Sequence, residues 1–221
     1  MENMEDMEDI CMRRIVIATL PMRGGMEKRV YPVDGNALIE SEKPIYFAVN
    51  PAATRGLKKG DEVKIVLLQT KGGDNAGEEN AKLFSDEFDS FNEAGAKVQA
   101  QILSRKFDES KTNFRFTFKN LIEQFEAQDE IFADVTYGPK PLTVLIFSAI
   151  LFAEKCLDCQ VRNIVYSKVE FAGGKVKEGT QKIYDITPLY QINSFTNLID
   201  CADAKSALKA MDVFLETGNM Q

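Results

Sequence analysis

Short runs of apolar, often β-branched residues alternate along the chain with longer stretches in which apolar positions return every three or four residues. Residues 13–20 (RRIVIATL) and 62–69 (EVKIVLLQ) are almost continuously apolar, the pattern of strands buried on both faces. Four further strands are predicted at 97–104 (KVQAQILS), 130–135 (EIFADV), 161–171 (VRNIVYSKVEF) and 181–187 (QKIYDIT), with the polar turn AGGKVKEG before the last. Between 29 and 50 two β-like pieces, RVYPV and PIYFAVN, flank DGNALIESEK and predict a hairpin. Leu83, Phe84, Phe88 and Phe91 stand at helical spacing, with Asp74 as a candidate N-cap and Gly95 placed to end the helix. The stretch NFRFTFKNLIEQFEAQ predicts an amphipathic helix entered through Thr112 or Asn113. Residues 142–156 are apolar on nearly all sides and predict a helix buried against a sheet, and helices follow at 188–199 and 202–216.

Strands that alternate with helices of this length predict βαβ units: an α/β, Rossmann-like, mainly parallel sheet with helices on both faces. No repeat and no Pro-rich or Ser-rich linker divides it, so one domain is expected over 13–200, with a further helix in 201–221.

Charge changes this picture at one end. The 221 residues carry 27 bases and 34 acids, a formal net of −7, but Glu2, Glu5, Asp6, Glu8 and Asp9 fall in the first twelve residues, where no base precedes Arg13. Without them 29 acids face 27 bases, a body of −2. Residues 1–12 read as a disordered acidic leader. It has the wrong sign for a secretory or transit peptide, and the longest apolar stretch, 141–153, falls short of the roughly 20 residues of a membrane span. A cytoplasmic protein with no membrane partner is expected.

The chain has no His and no Trp. The absence of His removes the usual general base near neutral pH and the commonest metal ligand, and with them His-dependent triads, imidazole zinc sites and His-dependent ribonuclease sites. Cys156 and Cys159 form a CxxC without a second pair, at the end of an apolar helical run rather than at a helix start. Neither a zinc site nor a thioredoxin-like couple fits, and reduced thiols in or near the core are expected. The residues point to no metal and no resident cofactor.

In an open parallel sheet, ligands bind beyond the carboxyl ends of the strands. Each of the first four strand ends is followed by a cation: Arg23 in PMRGGMEK, with Pro21, Met22, Gly24 and Gly25; Lys71 after Thr70 in TKGGDN; Arg105 and Lys106 in SRKFDESK; and Lys140 after Pro139 in TYGPKP. A single loop lysine is ordinarily just solvated, but four such loops on one edge point to an anionic, phosphate-bearing ligand. P-loop and G-x-G-x-x-G patterns are absent, and a nearly neutral body does not suit double-stranded nucleic acid.

The segments EIFADVTYGPKPLTVLIFSAILFAEKC, VRNIVYS and YDITPLYQINSF resemble the CRISPR-associated Rossmann fold (CARF) domain, in the branch whose fourth strand runs into D-x-T-x-G. The resemblance spans about 13–199 and is specific in the second half. It implies a homodimeric sensor of cyclic oligoadenylates in type III CRISPR antiviral defence, with the ring across the two-fold axis, against the loops after the first and fourth strands. Residue by residue it carries Asp134, Thr136, Gly138 and Lys140; the first-strand loop, Pro21, Met22, Arg23, Gly24 and Gly25, is matched by position. Tyr137 stands where other members carry His. It is left to stack on an adenine, to donate its hydroxyl to a phosphate, or to pack under the helix. The resemblance implies either a sensor signalling to an effector domain or protein, with residues 201–221 a remnant or the start of one, or a metal-independent ring nuclease. A dimeric regulatory module without ligand is the remaining class.

Overall fold

A computed structural model describes residues 12–32, 36–71, 76–106, 108, 110–173 and 175–217. Strand β1 (Arg13–Thr19) is central because every residue after Arg13 is buried. β2 (Glu62–Lys71), β3 (Lys97–Lys106), β4 (Glu130–Asp134) and β5 (Gln160–Lys168) extend the sheet in parallel, and β8 (Lys182–Asp185) closes it antiparallel to β5. The order β3-β2-β1-β4-β5-β8 is that of a doubly wound sheet, with its last strand reversed. β6 (Phe171–Ala172) and β7 (Lys175–Val176) pair with each other where a polar turn is predicted.

Alternation in the sequence reports position in the sheet. β1 is buried on both faces, whereas the polar-interrupted β3 is an edge strand with no fully buried residue and about every second one exposed. One face is covered by α1 (Val49–Thr54) and α2 (Gly77–Phe91), around Phe47, Phe84 and Phe88. The other is covered by α3 (Lys111–Ile122), α4 (Lys140–Leu157) and α5 (Thr187–Leu198), around Leu121, Ile146, Ile150 and Tyr190. The last helix, α6 (Ala204–Thr217), stacks Phe214 on Phe195 of α5 at 4.4 Å.

Four expectations change. The hairpin over 29–50 shrinks to one antiparallel bridge between Arg29 and Ile45, and the end of its second piece turns into α1. The cause is Glu87 of α2, whose buried carboxylate accepts the N–H groups of Tyr46 (2.7 Å) and Phe47 (2.9 Å) and the amide of Asn50 (3.0 Å), capping the turn from outside. α3 is entered through Ser110, whose Oγ accepts from the N–H of Asn113, rather than through Thr112 or Asn113. α4 buries one face through Leu142, Ile146, Ala149 and Ile150, but its other side is open, with Val144 67% exposed. Met12, assigned to the leader, is tied into the fold by Asp61 Oδ1 and by the N–H of Glu62; the rest of the leader, 1–11, and Asp74 lie outside the described residues. No helix among the described residues is long and apolar enough to cross a membrane.

Candidate functional site

The strand order reverses between β1 and β4, so the loops that leave these two strands diverge to opposite faces and open a crevice. Thr19, the last residue of β1, stitches its floor: the fully buried hydroxyl donates to the carbonyl of Asp134 (3.3 Å) and accepts from the N–H of Tyr137 (3.1 Å). The first-strand loop is fixed from α2 by Asn80, whose amide donates to the carbonyls of Pro21 and Arg23, both at 3.0 Å. Asn80 is fully buried and stands one turn before Phe84. A polar residue on that apolar stripe is the signal by which the sequence marks it. Thr19 carries no comparable signal.

The fourth-strand loop is a tight Asx-type turn. Asp134 Oδ1 accepts the N–H of Thr136 (2.9 Å), and Thr136 Oγ1 accepts the N–H of Ser167 at the end of β5 (2.9 Å). Gly138 follows at φ +81°, and a Cβ there would stand 3.4 Å from Leu142 Cδ2 and 3.5 Å from Thr19 Cβ. Those are ordinary contacts, so this turn needs glycine for its left-handed backbone rather than for space.

Asp134 is 1% exposed, and its second oxygen, Oδ2, has no hydrogen-bond partner of good geometry. Loss of hydration pushes its pKa up to about 6; hydrogen bonds from Thr136 and the nearby N–H groups of Val49 and Ala48 offset only part of that. The Tyr137 ring packs edge-on against Phe47 at 6.1 Å, which matches the packing role among the three open to it, although its neighbour is the core beneath α1 rather than α4. Burial first, then the fields of Asp134, Tyr31 and Glu87, raises the Tyr137 pKa, so the hydroxyl stays a neutral donor.

Positive charge at the crevice comes from Arg23 and Lys140. Both are exposed, and neither side chain is held in an ion pair among the described residues. Pro21, Met22 and Gly24 are half-buried, and Gly25 is exposed at φ +75°. Lys140 opens α4 and also stands at the rim of a groove of about 660 Å³ between α3 and α4, with Arg115 beside it and Phe114, Phe118 and Val144 among its walls. Thr70, Lys71 and Arg105 are placed elsewhere. They end β2 and β3, which run three residues beyond β1, and Arg105 is two strands away from it. All four cations thus stand at the carboxyl edge of the parallel strands, as expected, but Arg23 and Lys140 follow the strands at the reversal point while Lys71 and Arg105 lie toward the β3 side of that edge.

Cys159 is buried, which pushes its thiol pKa up, whereas Cys156 and Cys201 are exposed and all three are free, so the core expectation holds for one member of the CxxC. Among the described residues no three Cys, Asp or Glu side chains gather into a set able to hold a metal ion. No protein-family model and no curated protein matches the chain.

Proposed function

We propose that this chain is a sensor domain that binds a cyclic oligoadenylate, the tetra-adenylate in preference to the hexa-adenylate, across the two-fold axis of a homodimer in type III CRISPR defence, and signals to an effector. One observation carries the proposal. The D-x-T-x-G turn, the most specific segment of the resemblance, is hydrogen-bonded through Thr19 onto the end of the first strand at the reversal point of the sheet, with Arg23 and Lys140 unpaired on its two sides. A single copy offers two cations; a second copy doubles them, which suits a compact ring with several phosphates better than a polymer.

Isothermal calorimetry with cyclic tri-, tetra- and hexa-adenylate tests this. The expected result is one ring per two chains, weakened at least tenfold by Lys140→Ala. Absence of heat with every ring size overturns it. Chromatography of the same mixtures should return the ring intact; linear products ending in a 2′,3′-cyclic phosphate would make the domain a ring nuclease instead.

A further inference from the structure

The cations on the β3 side of the edge sit on the overhang where β2 and β3 outrun β1. Thr70 is the register partner of Arg105 there, and Lys71 is that of Lys106. Partners in a parallel ladder point the same way, so Thr70 and Arg105 share the face of Leu68 and Leu103, toward α3. Arg105 Nη1 donates to Thr117 Oγ1 at 2.5 Å, and the guanidinium stands 6.0 Å from the centre of the Phe114 ring. This anchors one end of the fork. The Nε and Nη2 groups at the other end are buried and have no hydrogen-bond partner. Thr70, 4% exposed, has an equally unpartnered Oγ1. Asp108, the carboxylate whose field reaches Arg105, is committed through both oxygens to Ser110, at 3.0 Å to its N–H and 2.8 Å to its hydroxyl.

Two observations point the same way. Buried guanidinium donors are costly unless they are paired, and here the unpaired ones are Nε and Nη2, the edge whose parallel N–H bonds match two oxygens of a carboxylate or phosphate. Independently, Thr70 Oγ1, on the neighbouring strand and the same face, is a buried hydroxyl without a partner, whereas Lys71 and Lys106, one residue on, point to the opposite face and lie outside the subsite. Arg105 also lines a cavity of about 260 Å³ with Ser104, Phe116, Thr117 and Asn120, and Phe116 is 61% exposed at its mouth.

We propose that the β2–β3 overhang is an oxyanion subsite separate from the crevice, in which the Nε/Nη2 edge of Arg105 grips two oxygens of a phosphate or carboxylate group and Thr70 Oγ1 donates to it.

The experiment uses the full chain, with inorganic phosphate and acetate titrated separately against chloride at constant ionic strength, read by the Arg105 Nε–H resonance and by melting temperature. One of the two anions should shift the resonance saturably and raise the melting temperature, which identifies the ligand group as phosphate or carboxylate. Arg105→Lys should weaken the response at least tenfold, because a point charge lacks the fork. Thr70→Val, which preserves shape, should weaken it about three- to fivefold. Calorimetry with the cyclic oligoadenylates reads the crevice and the Arg105 Nε–H resonance reads this subsite, so failure of the crevice proposal and failure of this one are distinguishable. A resonance that neither anion moves, or a response that survives intact in both Arg105→Lys and Thr70→Val, overturns the proposal.

Discussion

Two Asp-x-Thr turns face one another across β5, and they differ in one atom's fate. Asp134 ends β4 and Asp185 ends β8; each is the register partner of Val165, from opposite sides, so two similar turns lie roughly 10 Å apart on the same face of the sheet. In each, the Asp accepts the N–H of the Thr two residues on, and the Thr hydroxyl accepts an N–H of β5: Ser167 for Thr136, Ile164 for Thr187. The second oxygens part company. Asp185 Oδ2 accepts the amides of Asn36 (2.5 Å) and Asn163 (3.3 Å), whereas Asp134 Oδ2 accepts none of good geometry. The Asp185 turn is saturated and therefore structural. The Asp134 turn leaves its second buried oxygen with only the poorly aligned N–H groups of Ala48 and Val49, the kind of local cost expected where a site, rather than the fold, sets the arrangement.

Asp185→Ala should produce the largest effect. It strips partners from Thr187 and from the Asn163 amide, both in buried side chains, and should cost about 3 kcal/mol in urea unfolding. A loss under about 1 kcal/mol would mean that the two turns are not distinguished by saturation.

Asp134→Asn should act in the opposite direction. The Asp134 pKa of about 6 lies above the ordinary value of about 3.9, so the native state holds the extra proton between those limits. Its contribution to stability is complete below about pH 4, is lost as the pH rises toward 6, and is level above that. The Asn variant should lose this slope and gain at most about 3 kcal/mol at pH 7.5, the free energy that separates the two pKa values. Unfolding curves from pH 4 to 8 read both, and an unchanged slope would refute the raised pKa.

Thr136→Val should cost about 1 kcal/mol, because it removes the acceptor of the Ser167 N–H while leaving the β4–β5 ladder in place. Faster amide exchange at Ser167, with Ile164 unaffected, is the signature. Exchange that speeds up equally at both positions would mean that the turns behave as one unit.

Much of the fold is legible in the sequence because the signal is local. The continuous apolar runs of β1 and β2, the interrupted pattern of β3 and the helical spacing of Leu83, Phe84, Phe88 and Phe91 report burial residue by residue. The segment 29–54 is misread because its conformation is imposed from 41 residues away, by Glu87 accepting from Tyr46. The candidate site is legible in part. D-x-T-x-G and the loop cations can be read from the chain, but Thr19 and Asn80, which hold the two loops, do their work through contacts 57 to 118 residues apart.

Composition and period need no partner, so they suffice for the alternation of strands and helices, the absence of histidine chemistry and the cations at or just after the ends of the first four strands. Strand order and long-range pairing set the rest: Arg23 and Lys140 follow the two strands at the reversal point while Arg105 joins Thr70 on an overhang, and of two like Asp-x-Thr turns one is better satisfied than the other. Both depend on strand order and on hydrogen bonds such as Asn36 to Asp185, 149 residues apart, and no local pattern encodes such a pairing.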